Sequence, residues 1–258
     1  MPASSASSAS FDELVAEAEA APIRGWDFGW LAGRATENRP SWRYAERVAE
    51  RAAGAERMLD LECGDGRLFA GLPAWPRLVV AAEGHPPNAV LAARRLGARG
   101  GHVVRIGQAV QALPFRPGAF DLVTSRHPVT TWWGEIARVL TAGGTYFSQQ
   151  VGPHSVGELI EFMLGPQPRA SARDPDRARR QAEAAGLVVH DLRTERLRTV
   201  FHDVGAVVYF LRLVVWIVPG FTVDRFRDRL LALHDEIGRH GPFVAHASRF
   251  LIEARRPG

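Results

Sequence analysis

From residue 58 onward, short apolar runs alternate with helix-patterned segments, and this alternation restricts the fold more than any other feature. Runs at 58–61, 78–82, 103–106, 120–124, 145–151 and 187–192 have strand length and near-continuous apolar character. Helical stretches lie between them at 86–96, 131–140 and 176–185. Strand, helix and strand in succession imply right-handed crossovers and a parallel sheet. Residues 204–239 interrupt the pattern with two helix-like segments, and 243–254 reads as a strand pair or one long strand. Ahead of the alternation, 11–21 and 41–53 read as helices, the second with Ser41 as N-cap after Pro40. An aromatic stretch with Trp26, Phe28 and Trp30 lies between these two.

Composition removes other classes. Of 258 residues, 46% are hydrophobic and 23% charged, the balance of a soluble globular chain and not of a disordered or fibrous one. The single cysteine, Cys63, excludes a disulfide framework and any multi-cysteine zinc site. All 32 basic residues are arginine, as a GC-rich genome produces, and 28 acids leave a net charge of only +4. That excess is a weak argument for nucleic acid. The opening MPASSASSAS has neither a basic nor an apolar signal region, so residues 1–10 are expected to be a disordered tail. The most apolar run, 204–221, contains Arg212 and Pro219 and is too short to span a bilayer. A cytoplasmic protein without membrane contact is the expectation.

The first run ends at Glu62-Cys63-Gly64-Asp65-Gly66, where glycines let the backbone turn tightly beside a ligand. Glu83 ends the next run, 17 residues after Gly66. A carboxylate there can accept two hydrogen bonds from a ribose diol. Loop and acid together point to an adenosine-containing ligand.

On these residues the chain resembles the class I S-adenosylmethionine-dependent methyltransferases over about residues 24–257. Asp60 to Gly66 is similar to the family's first motif and Glu83 to its second. Leu113-Pro114-Phe115, Phe120-Asp121-Leu122-Val123, and Arg138-Val139-Leu140 with Gly143-Gly144 follow in the family's order. The segments 25–28, 86–88, 148–152 and 201–205 are similar to a type 11-like bacterial group, found in antibiotic producers, whose substrates are unassigned. The resemblance implies an α/β, Rossmann-like, seven-stranded, mostly parallel sheet flanked by helices, with an antiparallel last strand. It also implies an N-terminal helical cap at 11–56 and a methyltransferase domain at 57–258, with a helical insert at about 204–240 before the final strand. S-adenosyl-L-methionine is the implied cofactor, held by Asp60, Glu62, Cys63, Gly64, Gly66, Glu83, Gly84, Ala109, Val110 and Ser125. Two positions depart from the family: Glu62 stands where glycine is usual, and Ala109 where an acid often accepts from the adenine amine.

Methyl transfer from a sulfonium needs alignment and exclusion of water, and an oxygen or nitrogen acceptor is helped by a base. His127, directly after the fourth run, is a candidate base, or else only hydrogen-bonds a loop carbonyl. His202, beside Asp203, is the second candidate. Arg126, Gln150, Tyr209, Arg212 and Trp216 are candidate substrate contacts; the last three share one face if 204–216 is helical, where core packing is the other reading. The residues 204–239 are expected to cover the ligand crevice. No spaced His, Cys and Asp cluster suggests a metal. The expected function is methylation of a small molecule, an O- or N-methylation of a specialised metabolite, by a monomer or homodimer. The alternatives are a ribosomal RNA methyltransferase and a non-methylating binding role.

Overall fold

The structure, a computed structural model, describes residues 9–23, 25–107, 112–167 and 173–258. In chain order the elements are α1 (Phe11–Ala20), β1 (Ala35–Glu37), α2 (Tyr44–Ala53), β2 (Arg57–Leu61), α3 (Arg67–Ala70) and β3 (Leu78–Glu83). Then come α4 (Pro86–Gly97), β4 (His102–Arg105), β5 (Phe120–Arg126), α5 (Trp133–Val139), β6 (Leu140–Val151) and α6 (Gly157–Leu164). The last are α7 (Pro175–Ala184), β7 (Val188–Phe201), α8 (Val204–Leu213), α9 (Arg227–His240) and β8 (Phe243–Arg255). They form two compact units.

The larger unit holds residues 39–155, 169–197 and 248–258. Its strands stand in the order β7-β8-β6-β5-β2-β3-β4. Those from β6 to β4 are parallel, and β8 runs antiparallel to β6. The chain winds outward from β2 to β4 and then returns to β5 on the other side of β2. The winding therefore reverses between β2 and β5, and open α/β sheets bind ligands at the carboxyl ends of strands beside such a reversal.

Alternating side chains bury both faces of this sheet. Leu59, Leu61, Val80, Ala82, Val123 and Tyr146 pack with Ile136 and Val139 of α5 and Ala178 and Ala182 of α7. Met58, Val79, Ala81, Leu122 and Phe147 pack with Tyr44, Val48 and Ala52 of α2 and Ala92 and Leu96 of α4. Burial on both faces is why the strands read as continuous apolar runs.

The smaller unit holds residues 1–38, 156–168 and 198–247. Here α1, α6, α8 and α9 enclose a core that includes Val15, Leu159, Val207, Leu211, Leu230 and Leu233. Ser10 and Glu13 form a capping box on α1, and Asp203 caps α8 by accepting from the Ala206 amide at 2.7 Å. The helices α1 and α8 come close at Gly205, where a Cβ would lie 2.7 Å from the Leu14 carbonyl oxygen. β1 pairs antiparallel with the end of β7, Ala35 opposite Phe201.

The α/β class and the antiparallel last strand agree with expectation, and the two helices expected at 204–239 are α8 and α9. Among the described residues the sheet has eight strands, not seven. β1 has only three residues, Ala-Thr-Glu, and no apolar run marks it. The helix expected from Ser41 begins at Tyr44, because Arg43 takes a left-handed φ of 48°. The Ser41 amide instead donates to Glu195 Oε2 at 3.0 Å. The helix expected at 131–140 spans only α5, and Leu140 already pairs with Phe120. The strand expected to stop at residue 192 continues to Phe201.

Candidate functional site

β2 runs at Leu61 into a loop in which Glu62, Gly64 and Gly66 all have positive φ, at 56°, 59° and 74°. That conformation costs an L-residue about 1–2 kcal/mol, and glycine adopts it freely. The two glycines do different work. A Cβ on Gly66 would lie 3.1 Å from Leu96 Cγ and 3.2 Å from Ala92 Cα, so Gly66 lets the loop close on α4. A Cβ on Gly64 would meet nothing within 4 Å, so open space lies over Gly64. G66A is therefore expected to destabilise by more than G64A, whose cost should be near the about 1–2 kcal/mol of backbone strain alone. Urea unfolding of both variants checks the order; equal losses would remove the packing role of Gly66.

Glu83 is buried at the end of β3. Its Oε2 accepts from the Gly64 amide and its Oε1 from the His85 amide, both at 2.7 Å. The carboxylate thus fastens the glycine loop to the turn through Gly84 that begins α4. Each oxygen keeps a further lone pair for a hydroxyl donor. Cys63 is held below, its amide donating to the Ala82 carbonyl at 3.2 Å, and burial pushes its thiol well above the usual range. Asp60 lies inside the sheet opposite Thr124, whose hydroxyl donates to it at 2.8 Å. Burial raises the Asp60 carboxyl well above the carboxylate range, against the Thr124 hydrogen bond. Asp60 therefore supports the loop from within the sheet.

Glu62 reaches across the reversal point. It accepts from the Val129 amide at 2.5 Å and the Thr130 amide at 3.3 Å, and so ties the glycine loop to the segment after β5. Burial raises its pKa, opposed by those two amides. E62A is expected to release both amides. Their hydrogen exchange should quicken roughly 10–150-fold, the equivalent of about 1.5–3 kcal/mol for bonds to a charged acceptor. Unchanged exchange at Val129 and Thr130 would show that the tie carries no energy.

His127 follows β5 with φ at 56°, its amide donating to the Gln149 carbonyl at 2.7 Å. The Trp42 indole, which can only donate, donates to Gln149 Oε1 at 2.8 Å and so fixes the orientation of that amide. Gln149 Nε2 then donates to His127 Nε2 at 2.8 Å, which requires the neutral imidazole with its proton on Nδ1. Burial, followed by Arg249, Arg126 and Arg173, lowers the imidazole pKa well below its ordinary value. Arg126 is exposed beside it.

Behind the loop runs a buried polar network. Ser125 Oγ lies 2.7 Å from Tyr146 Oη and 2.9 Å from Ser148 Oγ. Gln150 Nε2 donates to Thr131 Oγ1 at 3.3 Å and to Tyr146 Oη at 3.4 Å. Tyr44 Oη donates to the Ser125 carbonyl at 2.9 Å, while its ring stacks on Phe147. The parts played by Trp42, Tyr44 and Gln149 were not legible in sequence. Gln150, next to Gln149 in the chain, was the candidate singled out there, and the two side chains serve opposite faces of β6.

The larger unit brings together Asp60, Glu62, Cys63, Gly64, Gly66, Glu83, Gly84, Ser125, Arg126, His127 and Gln150. Ala109 and Val110 lie outside the described residues. His202, Tyr209, Arg212 and Trp216 belong to the smaller unit. His202 is exposed, and its neighbour Asp203 caps α8 and does not orient an imidazole. Tyr209 and Arg212 are committed to the N-terminal segment. The Tyr209 hydroxyl donates to the Asp27 carbonyl at 3.0 Å, and Arg212 donates to the carbonyls of Ala18 and Ala21. Trp216 does not share their helical face, because α8 ends at Leu213; it meets Trp26 edge to face. Among the described residues, no group of three His, Cys, Asp or Glu side chains could hold a metal ion, and no helix is long and apolar enough to cross a membrane.

Comparison with known proteins agrees with this geometry. Residues 59–148 match the family model of the methyltransferase domain, from β2 through most of β6. No curated protein sequence matches significantly. Among solved structures, a candidate methyltransferase of Bacillus halodurans has a TM-score of 0.59 and 17% identity, covering 83% of this chain and 99% of that one. The [4+2]-cyclase SpnF has a TM-score of 0.51 and 19% identity over 85% of this chain and 84% of its own. Phosphoethanolamine N-methyltransferase 2 of Haemonchus contortus, solved with S-adenosyl-L-methionine, has a TM-score of 0.51 and 17% identity over 84% of this chain and 53% of its own. These likenesses show the fold. Residues 59–148 are thus similar to the methyltransferase domain, and the chain has the class I, Rossmann-like fold.

Proposed function

We propose that this methyltransferase domain moves a methyl group from S-adenosyl-L-methionine to an oxygen or nitrogen of a small molecule, a specialised metabolite. The observation that carries this reading is the Glu83 carboxylate, which latches the glycine loop through Gly64 and keeps lone pairs for two ribose hydroxyls. Open space over Gly64 leaves room for the cofactor to approach the backbone closely. Glu62 is committed to the Val129 and Thr130 amides, so it shapes the cleft and leaves the cofactor's amino group to other partners.

The cofactor supplies an activated methyl group, and the chain's residues do the rest. Glu83 and the glycine loop orient the adenosine, and the loop at 127–131 closes the cleft beside the strand ends. In the reaction the acceptor forms a bond to the methyl carbon as the carbon–sulfur bond breaks, and the acceptor's proton leaves. His127, held neutral by burial and by neighbouring arginines, is the group proposed to take that proton at Nε2 after exchange of the Gln149 hydrogen bond.

Calorimetric titration with S-adenosylhomocysteine tests the binding step, and labelled S-adenosylmethionine tests transfer. Micromolar binding and label appearing in small acceptors are expected. Absence of binding overturns the reading, and label entering ribosomal RNA instead would replace it with RNA methylation. One observation favours a second reading, that the fold binds its cofactor without methylating: the only lone pair of the His127 imidazole is already occupied by Gln149. SpnF, described as a [4+2]-cyclase, has the same fold. Binding without transfer to any acceptor would select this reading.

A further inference from the structure

The loop that Glu62 holds has a second side. Val129, whose amide donates to Glu62, also lines a pocket in the larger unit of about 130 Å³. Thr131, Gln150, Trp133, Phe250, Arg173 and Arg177 complete the part that matters here. The pocket therefore opens at the carboxyl ends of β5 and β6, separated from the glycine loop by one strand-end segment.

Its chemistry is rich in donors and poor in acceptors. Arg173 and Arg177 make no ion pair among the described residues. Asp174 is the one carboxylate on the lining, and it accepts from the Asp176 amide at 2.9 Å as the cap of α7. Arg173 and Arg177 thus offer this pocket two cations that no described carboxylate pairs, and an anion bound there can accept from both. The guanidinium fork matches the paired oxygens of a carboxylate or phosphate. The start of α7 adds its positive dipole end on the same side. Trp133 and Phe250, both buried, back the pocket, and the Trp133 indole donates to Gln181 Oε1 on its lining at 3.2 Å.

We propose that this pocket binds the oxyanion of the acceptor, a carboxylate or phosphate. Calling the ligand an acceptor rests on the methyl-transfer reading; the anion site itself stands on the lining residues. The test uses the full chain at constant ionic strength, titrated with benzoate, phenyl phosphate and the neutral benzamide. Benzoate or phenyl phosphate should bind at least tenfold more tightly than benzamide, and whichever is favoured identifies the oxyanion. R173Q/R177Q should lose at least tenfold in that affinity with benzamide unchanged, and R177Q alone, at an exposed position, should lose part of it if the double variant does not fold. Anions binding no better than benzamide, or equally well to the variants, overturn the proposal. S-adenosylhomocysteine titrated into the same samples separates the two readings. If it binds and the arginine-dependent anion preference is absent, the pocket proposal alone fails. If it does not bind, the methyl-transfer reading fails, and the anion preference still decides the pocket.

Discussion

Alanine at Glu83 is expected to weaken binding of S-adenosylhomocysteine by roughly 10–150-fold, the equivalent of about 1.5–3 kcal/mol for hydrogen bonds to a charged group. Two losses combine. The ribose hydroxyls lose their acceptor, and the amides of Gly64 and His85 lose theirs, so the loop is no longer held in its left-handed course. Calorimetry and urea unfolding separate these contributions. Reduced stability with unchanged affinity would make Glu83 a latch on the loop only, and the adenosine would have to be held elsewhere.

Alanine at His127 is expected to slow turnover by roughly 10²–10⁴-fold, the range for loss of a positioned base. Affinity for S-adenosylhomocysteine should hardly change. The remaining rate comes from alignment, which His127 does not supply. The lowered imidazole pKa also has a consequence for stability. Between the folded value and about 6.5, the unfolded chain binds the proton more readily than the folded chain. Stability should therefore fall as pH drops below about 6.5, and H127Q should remove that part of the slope. Asp60 acts with the opposite sign, since its raised pKa makes stability fall as pH rises from the ordinary carboxylate value toward the folded one. Comparing H127Q with wild type isolates the histidine. Wild-type turnover in H127A, together with an unchanged stability slope in H127Q, would leave His127 as a structural residue bound to Gln149.

The fold was legible because its signals are local. The strands β2, β3 and β5 are buried on both faces, and that burial writes itself as unbroken apolar runs between helices. Gly64 and Gly66 stand where φ is positive, and Glu83 stands at a strand end, so the glycine loop and the acid that latches it were visible as types of residue at fixed spacing. Where local signals were weak, the reading was incomplete. β1 is short and polar, the outer end of β7 is a mixed run, and Trp216 lies past the end of α8 although its spacing suits that helix's face.

What sequence alone determined, then, is the α/β alternation, the glycine loop and the acid that follows it, because backbone sterics and burial act on neighbouring residues. What only the tertiary structure decided is which distant side chains meet. Glu62 finds the amides of Val129 and Thr130, Trp42 orients Gln149 against His127, and Arg173 and Arg177 share a pocket with Gln150. Such meetings depend on strand order and register, where residues 67 or 107 positions apart become hydrogen-bond partners only once β5 has inserted beside β2 and β6 beside β5. The protonation of His127 follows from the same packing, since burial and neighbouring arginines act through space and leave no mark on the residues beside it in the chain.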